Sequence, residues 1–304
     1  MIGLLNIDKW PGPTSQDIVR SVKKMLGANR VGHTGTLDPP ASGILLVLVE
    51  QATRTARFFH RLEKEYQARI IFGVETDTGD AAGIVKKIHS PASVTAELLT
   101  SVLPEFIGEI EQIPPMVSAV KINGIRLHKL ARKGLQVARP ARIRRVDQLE
   151  LVEFKTSGKF PEALVRVICE TGVYVRVLAV DIAARMGTVA HLSELVRTRV
   201  GPFTLQAAVP HRFWNESPTR HTLAEHLIPL EKALEFLPKI SLDAEAVSKI
   251  RRGQVITLQE SVPAFSSPED VALALDVATG KAVAVVKNVK EDKIKPVRVL
   301  PETT

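Results

Sequence analysis

Gly32-His33-Thr34-Gly35-Thr36-Leu37-Asp38-Pro39-Pro40-Ala41-Ser42-Gly43 is the stretch on which the reading of this chain turns. Asp38 is its one acid. Pro39 biases Asp38 away from the helical region, and the glycines allow the backbone to turn tightly around it. Such a carboxylate has two readings. One is a turn-forming or helix-capping aspartate. The other is a nucleophile presented rigidly to a ligand, which would need a cationic partner nearby. Spacing alone leaves both open.

Working outward, residues 44–49 form an apolar run that reads as a buried strand, and residues 3–8 read as another. A turn at Pro11-Gly12-Pro13 leads to a helix capped by Thr14 or Ser15, with Ile18, Val19, Val22, Met25 and Leu26 on its apolar face and Gly27 closing it. Further strands are predicted over 66–74 and 163–170. Helices are predicted over 94–106, 127–133, 173–186 and 190–198, and a surface loop over 210–221. Strands and helices interleave without a regular βαβ period, which predicts an α+β fold with a mixed, mainly antiparallel sheet. Pro238 marks a boundary: residues 1–238 are expected as one domain and 239–304 as a small β-rich one. The best hairpin of the small domain joins 272–276 to 283–286 across Thr279-Gly280.

Of the 304 residues, 45% are hydrophobic and 24% charged, an ordinary globular balance. The apolar run 44–49 is too short to cross a bilayer, and the N-terminus does not read as a signal peptide. The single cysteine, Cys169, permits no disulfide within the chain. A cytoplasmic protein is expected. The formal net charge is +8, and its distribution is uneven. Residues 112–146 contain no acid but nine cations: Lys121, Arg126, Lys129, Arg132, Lys133, Arg139, Arg142, Arg144 and Arg145. That segment is either a solvated face or a surface for a phosphate backbone, and the concentration of charge favours the second. Neither a phosphate loop nor a dinucleotide fingerprint is present. The eight histidines are scattered, so neither a metal nor a cofactor is expected.

The 32–43 stretch resembles the catalytic motif of the TruB family of pseudouridine synthases, Gly-His-x-Gly-Thr-Leu-Asp-Pro-x-Ala-x-Gly. The resemblance extends along most of the chain: Lys9 with Gly12, Thr14 and Ser15; Lys64-Glu65-Tyr66; residues 73–83; Gln112-Ile113-Pro114-Pro115 with Ser118, Lys121 and Arg132; Gly172-Val173-Tyr174-Val175-Arg176; and Leu195-x-Arg197-x-x-Val200-Gly201-Pro202-Phe203. Trp10, Val117, His128 and Val173 depart from the family's usual residues. The resemblance implies the pseudouridine synthase fold with a PUA-like C-terminal domain. It also implies isomerisation of uridine at position 55 in the T-loop of tRNA, acting on a flipped-out base. In it Asp38 is the nucleophile, Arg176 its partner, and Tyr66 and Tyr174 the pocket tyrosines. Substrate contacts are implied for His33, Gly35, Thr36, Leu195 and Lys9, and for Lys121, Arg126, Lys129, Arg132 and Arg142 of the basic segment. The implied partner is the T-stem and loop of tRNA, bound by a monomer without an obligatory protein partner. A non-catalytic tRNA-folding chaperone is the alternative from another class, and a guide-RNA-dependent relative a third.

Overall fold

The computed structural model describes residues 1–90, 93–118, 120–122, 124–131, 134–216, 219–258, 270–290 and 292–301, with the backbone alone for Lys121, Arg126, His128, Lys129 and Lys290. A ten-stranded sheet dominates. Its main path runs Ile228–Pro229, Gly3–Lys9, Ser42–Val49, Ala190–Val200, Lys64–Phe72, Glu162–Cys169, Arg142–Lys155 and Gly108–Gln112, with Val31–His33 and Phe203–Thr204 paired at the side. Among the described residues of this sheet, the one parallel strand pair is Ser42–Val49 beside Ala190–Val200. The mixed, mainly antiparallel expectation is met.

The period of two explains why residues 44–49 are apolar without interruption. Ile44, Leu46 and Leu48 pack in one cluster with Leu4 and Phe59. Leu45, Val47 and Val49 pack in another with Ile18, Val19, Val22 and Leu26 of the Ser15–Leu26 helix. Both faces of this strand are core, and each fully buried side chain of this size contributes about 2 kcal/mol. The helix starts on a capping box, since Thr14 and Asp17 accept from each other's backbone N–H. It ends at Gly27, whose φ of 63° is the left-handed cap. A third cluster covers the other half of the sheet and contains Leu37, Ala41, Tyr66, Ala68, Ile70 and Phe72 against Leu178, Ala179 and Ile182 of the Val175–Arg185 helix.

Three expectations need correction. Residues 190–198 are not a helix but part of the strand Ala190–Val200. Its pairing with Lys64–Phe72 shifts register between Leu192 and Glu194 and again between Arg197 and Arg199. Those irregularities spread the apolar residues Ala190, Leu192, Leu195 and Val196 into a spacing that imitates a helix. The 94–106 helix is a helix over Ala96–Val102 followed by a 3₁₀ turn over Leu103–Phe106, where Pro104 interrupts it. The 210–221 loop holds two helical turns, Arg212–Asn215 and Arg220–Glu225, whose neighbourhood packs Phe213, Trp214 and Leu223 on the Ser15–Leu26 side of the sheet.

Beyond Pro238 a five-stranded sheet runs Lys239–Leu242, Val271–Asp276, Ala282–Lys290, Lys293–Val299 and Ile256–Thr257. The hairpin expected over 272–276 and 283–286 is its centre. Leu273, Val285 and Leu300 share a cluster with Leu4, Ile44 and Phe59 of the large sheet. Among the described residues no helix is long and apolar enough to cross a membrane.

Candidate active site

The loop that carries Asp38 leaves the short strand Val31–His33 and re-enters the sheet at Ser42–Val49. Buried Ser15 clamps it at Leu37: its hydroxyl accepts from the Leu37 N–H at 2.8 Å and donates to the Leu37 carbonyl at 2.9 Å. A turn closes over the prolines, with the Ala41 N–H donating to the Asp38 carbonyl at 3.1 Å. Lys9 completes the framework. Its ammonium donates to the carbonyls of Ala41 (2.6 Å), Trp10 (2.9 Å) and Pro39 (3.2 Å), which uses all three of its N–H groups. Lys9 is 0% exposed, so the substrate contact expected of it is not available; it braces the loop from inside. Burial pushes its amine down to about 8, opposed by the charge of Asp38 and aided by that of Arg197.

Arg176 lies in the first turn of the Val175–Arg185 helix and is buried. Its Nη2 sits 2.9 Å from Asp38 Oδ2 and also donates to the Val117 carbonyl at 2.9 Å. Nη1 donates to the Thr78 carbonyl at 2.7 Å and lies 3.6 Å from Asp80 Oδ2. Arg176 is thus tied on four sides, as no surface cation would be. The helix start is fixed from the sheet edge: Gln112 Oε1 accepts from the Tyr174 N–H at 2.9 Å and its Nε2 donates to the Tyr174 carbonyl at 3.2 Å.

A narrow cleft of about 20 Å³ opens beside this pair, walled by Asp38, Pro40, Ala41, Asp80, Ala81, Arg176, Leu192, Ser193, Glu194 and Leu195. Asp38 and Leu195 thus meet as expected, although Leu195 comes from a strand. The aromatic walls anticipated from the sequence are not among these residues. Tyr66 is buried with Leu37 and Ala41, and its phenol is pushed up chiefly by burial; the charge of Arg197 opposes the shift, while the carboxylate of Asp38 adds to it. Tyr174 is half-buried at the head of the helix. His33 is half-buried on the short strand, and the carbonyls of Gly35 and Thr36 face inward to Arg197. Arg142 is exposed at the start of the Arg142–Lys155 strand. Arg132 and the side chains of Lys121, Arg126 and Lys129 lie outside the described residues.

Two buried groups that sequence reasoning did not assign complete the site. Asp80 accepts from Thr78 Oγ1 at 2.7 Å and from the Ala82 N–H at 3.1 Å while facing Arg176. Arg197, 3% exposed, reaches the loop from the central strand. The only signal for either was its place inside a motif, because side-chain pattern gives no warning that a charged residue will be buried. A second, larger hollow is lined by Phe106, Ile110 and Ile113 together with Glu105, Glu109, Glu111 and Asp181, and these acids make it electrostatically unsuited to phosphate. Among the described residues no cluster of three or more His, Cys, Asp or Glu is placed to hold a metal.

An acid open to a cleft, oriented by a buried guanidinium and set on a braced loop, is arranged for nucleophilic work. Comparison with known proteins agrees in sequence and in shape. The family model for the TruB family pseudouridylate synthase (N terminal domain) matches residues 23–175, and that for the tRNA pseudouridylate synthase B C-terminal domain matches residues 176–235. The chain is 36% identical to tRNA pseudouridine synthase B of Bacillus pumilus over 307 aligned positions, covering 99% of this chain and 98% of that protein. It is 42% identical to the protein of the same name from Symbiobacterium thermophilum, covering 83% and 82%. Among solved structures, a Cbf5-Nop10-Gar1 complex contains a chain that is similar with a TM-score of 0.70 and 31% identity, covering 99% of this chain and 84% of that one. Motif, geometry and full-length similarity converge: the chain belongs to the TruB family of pseudouridylate synthases.

Proposed function

We propose that this protein isomerises uridine to pseudouridine at position 55, in the T-loop of tRNA, with Asp38 as the nucleophile. The observation that carries this reading is the contact of 2.9 Å between Asp38 and the buried guanidinium of Arg176 at the mouth of a cleft. The reaction needs no oxidant and no added group. The N1–C1′ bond breaks, the uracil turns, C5 bonds to C1′, the C5 proton leaves and N1 gains one. Asp38 supplies the electron pair that allows the first bond to break. Arg176 keeps that carboxylate aimed at the cleft, Leu195 walls the ring, and to Tyr66 this reading gives the proton at C5.

A stacked uridine cannot reach Asp38, so the base must leave the loop at a cost of about a few kcal/mol. Cations of residues 112–146, Arg142 among them, would offset that cost through contacts to the phosphates of the T-arm. His33, Gly35 and Thr36 would contact the RNA around the flipped base. The domain division after Pro238, a PUA-like role in RNA contact for the C-terminal unit, a cytoplasmic location, and action as a monomer without a protein partner belong to the same reading. The test is incubation of the purified chain alone with an unmodified tRNA transcript, followed by mapping of pseudouridine. A product at position 55 supports the reading. Binding without product would favour the folding chaperone, and dependence on a guide RNA would favour the guided relative.

A further inference from the structure

Arg197 sits where three pieces of the site meet. Its backbone is in antiparallel register with Tyr66 on one side and in parallel register with Gly43 on the other. The approach to Gly43 is close: a Cβ on that glycine, whose φ is +98°, would lie 2.3 Å from the Arg197 carbonyl oxygen. Its side chain then returns to the same loop. Nε donates to the Ile44 carbonyl at 2.7 Å, Nη2 to the Gly35 carbonyl at 3.1 Å, and Nη1 faces the Thr36 carbonyl at 3.5 Å. Asp38 lies between the two ends so held. Among the described residues no carboxylate comes within ion-pair distance of this guanidinium. A buried cation with only neutral acceptors is costly, and a lysine, lacking the planar fork, could not reach both ends of the loop.

We propose that Arg197 is a positioning residue of this site: one guanidinium fixes both ends of the Asp38 loop against the strand position that pairs with Tyr66, and so sets the separation of the carboxylate from that tyrosine. It acts through the loop and through the strand pairing with Tyr66, and does not wall the cleft itself. The inference rests on the proposed isomerisation and adds to it a residue whose role there is geometric. The direct cross-strand register of Arg197 with Tyr66 supports it, and the charges of Arg197 and Asp38 both act on that phenol. Misplacement of reacting groups by about 1 Å is enough to cost on the order of a hundredfold in rate.

The test uses Arg197→Lys and Arg197→Met in the full chain. With tRNA transcript, kcat should fall about a hundredfold, while KM and tRNA affinity stay within about twofold of the parent. A second readout is independent of turnover. The chain has two tyrosines, so a Tyr174→Phe background labelled with ¹³C at tyrosine Cζ gives one signal, that of Tyr66. That signal should move when Arg197 is replaced. Should neither variant fold, Tyr66→Phe is made with Arg197 intact, and the guanidinium ¹⁵N signals of Arg197 should shift. Unchanged signals overturn the proposal, as does a kcat within threefold of the parent, or equal losses of affinity and rate. If the parent chain makes no pseudouridine, the isomerase reading fails while the tyrosine signal still reports on the Arg197 contact.

Discussion

Asp38 and Arg176 meet at 2.9 Å but live in unequal surroundings: the arginine side chain is 5% exposed and the aspartate 34%. The guanidinium is committed to protein carbonyls at Thr78 and Val117 and to a second acid, Asp80, whereas the carboxylate keeps an open side toward the cleft. The arginine is structure and the aspartate is function. A pair built in this way orients its reactive member without covering it.

Asp38→Asn keeps the shape and removes the proposed nucleophile. Pseudouridine formation should fall on the order of 10⁴-fold or more, the scale seen when a covalent nucleophile is lost. Affinity for tRNA in a filter-binding assay should stay within about threefold. Product formation near the parent rate would remove Asp38 from the chemistry.

Arg176→Met should lower both activity and stability, because it strands Asp80 and frees two carbonyls. We expect a loss of about 3 kcal/mol in urea unfolding, the low end for breaking a buried pair since Asp38 is partly solvated. Arg176→Lys should recover little, because an ammonium cannot serve Asp38, Asp80 and two carbonyls at once. Full recovery by lysine would show that charge alone matters there.

Gly43→Ala tests the approach of the loop to the Ala190–Val200 strand. The position has φ +98°, and the added methyl would press on the Arg197 backbone. Backbone strain of about 1–3 kcal/mol should appear as a lower thermal midpoint, with reduced kcat in whatever protein folds. An unchanged midpoint would mean that the loop relaxes freely.

Lys9 and Lys64 are both pushed from 10.5 down to about 8 by burial. The unfolded chain therefore holds protons on these amines up to about 10.5 that the folded chain releases near 8. Between those values the unfolded state binds more protons, so this contribution to stability rises with pH; it is lost as pH falls through 8. Urea unfolding from pH 7 to 10 should show a shallower pH slope in Lys9→Met than in the parent over that window. Identical slopes would contradict the buried, protonated Lys9.

The sequence was most informative where one residue type had one physical use. The Thr14 cap, the Gly27 stop and the unbroken apolar run of 44–49 became the elements they suggested. The acid loop and its arginine partner were legible through motif resemblance, since nothing in spacing brings Asp38 and Arg176 together across 138 positions of chain. The strand Ala190–Val200 was misread because two register shifts disguise its period. Lys9 was misplaced for a different reason: a lysine beside a turn is ordinarily solvated, and its burial follows only from the three carbonyls that the folded loop gathers around it.

The bond from Arg176 to the Val117 carbonyl ties the acid's partner to the root of the cationic segment. The root of that segment and the aim of a carboxylate are thereby joined through a single planar group. A displacement at Val117 would therefore reach Asp38 through one covalent fork.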